Sequence, residues 1–173
     1  MSELDEFRKQ KDTYFYRSPS SPLRFDQKAA FDGLKYYPEN PDLRLTLLLD
    51  RDVPHDVIMM DTSTGSKQEY RREGVVTFSV DGQDVTLALY ATQSPGELFV
   101  PFRDATSAKE TYGGGRYLET QLNADGTVLL DLNYAYNPYC AYNGDWSCPI
   151  PPAENWLPVA IKAGEMLYSS EGH

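Results

Sequence analysis

Side chains that could bind an anion are concentrated in residues 101–117, PFRDATSAKETYGGGRY. This stretch contains two arginines, a lysine, an aspartate, two tyrosines and three consecutive glycines. An arginine fork can donate two parallel hydrogen bonds to a carboxylate or phosphate, and the glycines can bring backbone N–H groups close to an anion. They fit neither the phosphate-loop nor the dinucleotide-binding fingerprint. We therefore expect a binding or catalytic site here whose ligand the motif does not identify.

Our preferred hypothesis is a β domain with a pocket for a small anionic or planar ligand. The cations would hold the anionic group, and the tyrosines would contact a flat apolar body while offering a polar tip. The residues expected to line this pocket are Arg103, Lys109, Tyr112, Arg116, Tyr117, Tyr136, Asn137 and Asn155.

Two other classes of function fit the same residues. The first is a hydrolase that uses Asp104 or Glu154 as general base and an arginine as the partner of an oxyanion. The second is a non-catalytic structural or interaction module. In that case Arg103 and Arg116 pair with internal carboxylates, and the glycines form a β-bulge or a hairpin.

Cys140 and Cys148 are the two cysteines of the chain. We interpret them first as packed or redox-reactive thiols and second as a disulfide, which the short intervening loop allows sterically. Zinc binding is a weak alternative, because a structural zinc site needs four Cys or His ligands. His55 and His173 do not stand at a ligand spacing with the cysteines. The sequence therefore indicates no metal site, and it points to no particular cofactor.

Two further segments carry polar groups that could reach a ligand. Residues 133–143 alternate tyrosines with asparagines and follow a predicted strand, so they either line a pocket or pack against the core. Residues 148–158 are rich in proline, which enforces an extended path without N–H donors. We expect this segment to be a strap that covers a sheet edge. Alternatively, it lays Glu154 and Asn155 across the mouth of a pocket.

Length and charge limit the classes of function. The 173 residues fit one domain that can bury its own core. The net charge of −10 excludes a nucleic-acid-binding face and adhesion to anionic membranes, and it fits either adaptation to high salt or an ordinary solubilising surface. We expect neither a signal peptide nor a membrane span, because residues 1–12 are charged throughout and no long apolar run is present. We expect a cytoplasmic protein, and the oligomeric state stays open.

Helices are predicted only near the start of the chain. Ser2 and Asp5 resemble a capping box, and Leu4, Phe7, Lys11 and Tyr14 follow at helical spacing. After a linker at residues 18–22, Asp26 is the predicted cap of a second helix that runs through Phe31 and ends at Gly33. We thus divide the chain into a helical extension, residues 1–33, packed on an antiparallel β domain, residues 34–173.

The rest of the chain has the two-residue period of β-strands. Residues 43–49, 75–80, 84–89 and 126–132 alternate, and residues 159–162 are predicted to be the last strand. Asp81-Gly82 between two alternating runs predicts a tight hairpin. Short strands joined by tight turns, with no helices between them, predict an all-β fold. We expect a single antiparallel barrel or sandwich domain with a short helical N-terminal extension.

Long motif blocks identify a family resemblance. PFRDATSAKETYGGGRY and DGTVLLDLNYAYNPYCAYNGDWSCPIPPAENWLPVAIKAGE, together with the earlier FDGLKYYPEN, FRKQKDTYF and SPSSPL, resemble a family catalogued only as a domain of unknown function. The resemblance covers nearly the whole chain. It implies a compact, mainly antiparallel β protein without an established activity.

The resemblance also points to individual positions. This chain has Ala108 where family members often carry glycine, so the local turn geometry is in question. By resemblance, the positions that match the family's motifs are Arg103, Asp104, Thr106, Lys109, Thr111, Tyr112, Gly113, Gly115, Arg116, Tyr117, Asn133, Tyr136, Asn137, Pro138, Cys140, Cys148, Pro149, Pro151, Glu154 and Asn155.

Overall fold

A computed structural model describes residues 2–144 and 146–168 of the chain. Two helices come first, α1 (Glu3–Arg17) and α2 (Phe25–Ala29). The strands that follow are β1 (Arg44–Leu48), β2 (Val57–Asp61), β3 (Lys67–Val80), β4 (Gln83–Ala91), β5 (Glu97–Phe102), β6 (Arg116–Gln121) and β7 (Thr127–Asp131). Short 3₁₀ turns lie at Pro41–Leu43, Leu132–Tyr134, Tyr139–Ala141 and Ala153–Asn155.

The strands form two open antiparallel sheets. One has the order β2-β3-β4-β5-β6, and the other pairs β1 with β7. Alternate residues such as Leu87, Leu89, Val128 and Leu130 are fully buried between the sheets, and they belong to one hydrophobic core. The predicted all-β fold is confirmed. Of the two predicted architectures, the described strands form a sandwich, because neither sheet closes on itself to make a barrel.

Local sequence signals placed most elements correctly. Ser2 and Asp5 form the predicted capping box of α1. Asp81 and Gly82 join β3 to β4 with φ angles of 51° and 81°, as the tight hairpin turn requires. The second helix was predicted less well, because it begins at Phe25 and ends at Ala29 rather than starting from an Asp26 cap and running through Phe31. The helices lie against later parts of the chain, for example through the rings of Phe15 and Tyr142.

The predicted strand at residues 159–162 is wrong. The chain from Pro149 to Ala163, which we call the strap, contacts the five-stranded sheet through single hydrogen bonds and forms no ladder. The Leu157 N–H donates to the Arg103 carbonyl at 2.7 Å, and the Ala105 N–H donates to the Val159 carbonyl at 2.9 Å. The Ile161 N–H donates instead to the Asp104 carboxylate, and the Ile161 carbonyl accepts from the Arg116 guanidinium. Side chains thus take up the backbone groups that a neighbouring strand would need, which is the reason that the apolar alternation does not produce a strand.

Within residues 2–144 and 146–168, neither α1 nor α2 has the length and apolar character needed to cross a bilayer.

Candidate functional site

Arg116, the central cation of the predicted site, lies in the interior with a 1% exposed side chain. Its guanidinium donates to the backbone carbonyls of Ile161, Ala163 and Glu165. It also lies 3.6 Å from the buried carboxylate of Asp104. Burial lowers the pKa of Arg116, and the charge of Asp104 opposes that shift. The fork that was expected to hold an anion therefore holds the C-terminal segment.

Asp104 completes this cluster. Its carboxylate accepts hydrogen bonds from the Thr106 hydroxyl at 2.9 Å and from the Ile161 N–H at 2.6 Å. Both its charge and its acceptor sites are thus satisfied within the protein, as a buried carboxylate requires. We call Arg116, Asp104 and the backbone groups that they bind the arginine framework.

Asn155 is a second internal connector and is fully buried. Its side chain accepts from the Ala88 N–H at 2.8 Å and donates to the carbonyls of Ala88 and Pro101 at 2.9 and 2.8 Å. β4 and β5 pair directly only at Tyr90–Phe99 and Ala91–Leu98. Because Pro101 has no N–H to continue that ladder, the Asn155 amide satisfies backbone groups of both strands where they separate.

The glycines of the motif permit the strap to pack closely against the backbone of the motif. Gly115 has a φ of 93°, and a Cβ there would stand 2.6 Å from the Phe102 carbonyl oxygen and 2.9 Å from Pro151 Cγ. The turn before it contains Ala108 at a φ of 66°, one of two described non-glycine residues in the left-handed region. The glycine that family members often carry at this position fits that geometry.

The other predicted ligand-binding residues do not converge on one cavity. The Arg103 guanidinium stacks over the Trp156 ring at 4.7 Å, whereas Lys109 is exposed. The Tyr117 hydroxyl donates to the Pro149 carbonyl. Tyr112, Tyr136 and Asn137 lie at three further places, described below. That these residues share a ligand stays a prediction.

Glu154, the alternative general base, is engaged at the surface. One carboxylate oxygen accepts from an Arg72 Nη at 2.6 Å, and the other accepts from the Tyr90 hydroxyl. Burial and the neighbouring Glu154 carboxylate raise the pKa of Tyr90, which keeps this phenol a donor. Glu154 and Asp104 thus belong to separate clusters.

A buried carboxylate that sequence reasoning missed lies beneath α1. Glu165 is 1% exposed and pairs with the Lys11 ammonium. It also accepts from the Tyr142 hydroxyl and, at 3.2 Å, from the Asn137 N–H. The only signal for it was a lysine within the apolar stripe of the predicted first helix, since a cation on such a face needs a buried partner.

Lys11 also forms part of an open aromatic cavity of about 370 Å³ between α1 and the tyrosine-rich segment. Its ammonium lies 4.9 Å from the centre of the Tyr136 ring and 5.6 Å from that of Phe15. The Tyr136 hydroxyl points away and donates to Glu119 at 2.8 Å. The residues that line this cavity are Phe7, Gln10, Lys11, Tyr14, Phe15, Tyr136 and Tyr139.

A larger cavity of about 660 Å³ lies beside it, between the start of α1 and strands β6 and β7. Its wall carries the carboxylates Glu3, Glu39, Glu119 and Asp131 but, among cations, only Arg44. Arg44 is already 3.6 Å from Asp131. This second cavity therefore favours no anionic ligand.

Cys140 and Cys148 are free and buried, in one cluster with Phe99 and Tyr117. The Tyr112 hydroxyl lies 3.6 Å from the Cys140 sulfur. A hydrogen bond from the Cys148 thiol, against the opposing effect of burial, lowers the pKa of Cys140 to about 6. The same bond raises the pKa of Cys148. The two thiols are thus inequivalent, and Cys140 has the lower pKa.

Metal ligands do not gather in the part of the chain that the structure describes. In residues 2–144 and 146–168, three or more His, Cys, Asp or Glu side chains nowhere come together as a possible metal site. His55 is exposed and its Nε2 lies 2.9 Å from the Arg51 carbonyl oxygen. His173 lies outside the described residues.

A family model described as "Protein of unknown function (DUF1684)" matches residues 29–166. The chain belongs to this family. The resemblance to a family of unknown function is thereby confirmed. The matched residues include the whole arginine framework and end just after Glu165, whereas Lys11 and the rest of α1 precede them.

A solved structure extends the likeness to nearly the whole chain. An uncharacterised protein of Haloarcula marismortui, determined in solution by NMR, is 35% identical and superposes with a TM-score of 0.72. The match covers 95% of this chain and 92% of that protein. No curated protein matches the chain. The relatives therefore establish the family and the fold and bring no activity with them.

Proposed function

We propose that the protein binds a small planar ligand with an anionic group in the aromatic cavity beneath α1. The observation that carries this proposal is the combination of five aromatic rings with one ammonium group around an open volume of about 370 Å³. Cavities of this size accept small molecules, and aromatic walls with a few placed polar groups are typical of such sites. The ligand class agrees with the expectation from sequence, but its site is different.

The rings would supply the contact with a flat ligand. Phe7 and Tyr14 are about two-fifths exposed, at 40% and 41%, and form the outer lip of the cavity. Phe15 is buried at its base, so the cavity has an apolar floor. Aromatic pairs prefer offset or edge-to-face contacts, each worth about 0.5–1.5 kcal/mol beyond the area that they bury. A planar ring system can make several such contacts at once.

Lys11 would supply the charge. An ammonium group has three N–H donors, and among the described residues its hydrogen bonding is to Glu165 alone. Two donors are thus available for a carboxylate or another oxyanion. The lysine is held in place by the buried glutamate, and its position over Tyr136 fixes it beside the rings. The arginine framework offers no comparable donors, because its fork is bound to backbone carbonyls.

Aromatic carboxylates are the probes that test this proposal. Benzoate and naphthoate should quench the fluorescence of Trp146, whose ring lies 5.0 Å from that of Tyr139, and they should raise the melting temperature. Cyclohexanecarboxylate lacks the flat ring and benzamide lacks the charge, so both should bind at least several-fold more weakly. Equal binding of all four compounds, or of none, contradicts the proposal.

A matched pair of variants locates the site. Tyr14 lines the aromatic cavity and Tyr16 does not, although both are tyrosines of α1 with similar exposure, 41% and 52%. Tyr14→Ala should weaken naphthoate binding by roughly tenfold, because it removes about 1.4 kcal/mol of ring contact. Tyr16→Ala should leave binding unchanged. If the two variants behave alike, the ligand binds elsewhere.

The hydrolase hypothesis receives less support from the geometry. A general base must come within hydrogen-bond reach of the substrate, and Asp104 has a 1% exposed side chain whose oxygens are bound to Thr106 and Ile161. The hypothesis then depends on Glu154. Turnover of a generic ester, phosphate or amide that is lost in Glu154→Gln would favour it over ligand binding alone.

A further inference from the structure

The two cysteines form a feature that ligand binding does not use. Cys140 belongs to the 3₁₀ turn Tyr139–Ala141, and Cys148 begins the approach to the strap. Both are in a cluster with Phe99 and Tyr117, and they are 7% and 8% exposed. The two residues are therefore nearly covered, and a hydrogen bond between their thiols places the sulfurs close together.

The surroundings hold each cysteine in a defined place. The Cys148 N–H donates to the Ser63 hydroxyl at 3.1 Å, and the Ser63 N–H donates to the Cys148 carbonyl at 3.0 Å. Cys140 is fixed by its turn and by the Tyr112 hydroxyl at 3.6 Å. Burial raises the pKa of Tyr112, so this phenol keeps a proton that it can donate to the Cys140 sulfur. The two thiols are thus unequal, since the Tyr112 hydroxyl lies at Cys140, where it can stabilise a thiolate.

We propose that Cys140 and Cys148 form a redox-active dithiol that a hydroperoxide oxidises to an intramolecular disulfide. Cys140 is the attacking thiol and Cys148 is the resolving thiol. Reactive cysteines have this combination of partial access, thiolate-stabilising donors and an adjacent second thiol.

The reaction has two balanced steps. The Cys140 thiolate attacks the terminal oxygen of the hydroperoxide, so an S–O bond forms, the O–O bond breaks, and the leaving oxygen takes up a proton to become an alcohol or water. The Cys148 sulfur then attacks the Cys140 sulfenic acid. The S–S bond forms, the S–O bond breaks, and hydroxide leaves with the Cys148 proton as water. The two sulfurs lose two electrons in total, and the peroxide is reduced by two.

Oxidation of the full-length protein with hydrogen peroxide tests the proposal. At pH 7, one equivalent should remove both free thiols, lower the mass by the two hydrogens lost, and give a peptide cross-linked between Cys140 and Cys148. The protein should stay the same size, because the bond is intramolecular. Thiols that persist, or that link two chains instead, overturn the proposal.

Single variants distinguish the two roles. Cys148→Ser lacks the resolving thiol, so dimedone should trap a sulfenic acid on Cys140. Cys140→Ser should consume peroxide roughly tenfold more slowly, because the contact of the Tyr112 hydroxyl is with Cys140. Tyr112→Phe keeps the ring and removes the donor, so its oxidation should be slower by about threefold to tenfold. Equal rates in Cys140→Ser and the unchanged protein contradict the assignment.

An experiment on the unchanged protein guards against variants that fail to fold. With limiting iodoacetamide at pH 7 under reducing conditions, peptide mapping should show Cys140 alkylated roughly tenfold faster than Cys148. Equal alkylation, or faster alkylation of Cys148, overturns the proposal without any substitution.

Discussion

A buried cation, Arg116, and a partly buried one, Lys11, have opposite surroundings in this protein. Arg116 binds three backbone carbonyls and lies beside Asp104 in a cluster without access to solvent. Lys11 binds the single carboxylate of Glu165 and lies at the wall of the aromatic cavity. The Arg116 guanidinium donates to groups of the protein itself, whereas the Lys11 ammonium keeps N–H donors that a ligand could use. A cationic side chain in the interior therefore indicates a ligand site only when it has more N–H donors than the protein has acceptors to bind them.

The largest effect is expected from removing the framework cation. Arg116→Met leaves Asp104 as an unpaired buried charge and three carbonyls without a donor, so we expect a loss of about 3–5 kcal/mol in the free energy of unfolding. Urea denaturation measures it. The matched control is Arg103→Met, which loses a stacking contact with Trp156 and should cost about 1 kcal/mol or less. Similar losses in both variants would remove the distinction between framework and surface arginines.

Asn155 tests whether the strap belongs to the framework. Asn155→Leu removes three hydrogen bonds and leaves buried backbone groups of Ala88 and Pro101 unpaired. We expect a loss of about 3 kcal/mol, because each unsatisfied buried group costs about 1–3 kcal/mol. The control is Asn123→Leu on the surface, which should change the stability by about 0.5 kcal/mol. A small effect of Asn155→Leu would mean that the strap merely lies on the sheet.

The Lys11–Glu165 pair tests whether the second cation, Lys11, holds a ligand in the aromatic cavity. Lys11→Met should cost about 2–3 kcal/mol, because it leaves a buried carboxylate without its cation, and it should abolish naphthoate binding. The double variant Lys11→Met/Glu165→Gln removes that unpaired charge. It should recover part of the stability, measured by urea denaturation, and none of the binding, measured by fluorescence titration. Recovered binding would show that the ammonium does not hold the ligand.

The local elements could be predicted from sequence because their signals are local. The capping box of Ser2 and the Asp81-Gly82 turn depend on neighbours within a few residues, and both are present. The strap could not be predicted from the alternation at residues 159–162, since the Ile161 backbone binds the side chains of Asp104 and Arg116 instead of a neighbouring strand. Short-range patterns thus determine which segments become strands only where no distant side chain takes up their backbone groups.

The candidate site was harder to predict because its partners are distant. The motif around Arg116 was recognised, but its acceptors are backbone carbonyls 45 to 49 residues further along the chain. Every residue has a backbone carbonyl, so the sequence does not indicate which carbonyls accept from Arg116. Lys11 and Glu165 are 154 residues apart, and only the position of Lys11 in an apolar stripe hinted at a buried partner. Residue types therefore indicate that the interior contains cations. They do not show that Arg116 is bound by the protein itself or that Lys11 keeps free donors.

The smallest effect concerns the turn that leads into the framework. Ala108 has a φ of 66°, a conformation that costs about 1–2 kcal/mol for a residue with a Cβ. Ala108→Gly relieves this strain but adds about 0.4–1 kcal/mol of chain entropy to the unfolded state. We expect a net gain of about 0.5 kcal/mol in urea denaturation. Ala105→Gly in the same loop, at a position without a positive φ, should instead lose about 0.5–1 kcal/mol. If both substitutions destabilise equally, the left-handed turn imposes no strain, and the framework does not require the glycine that family members often carry there.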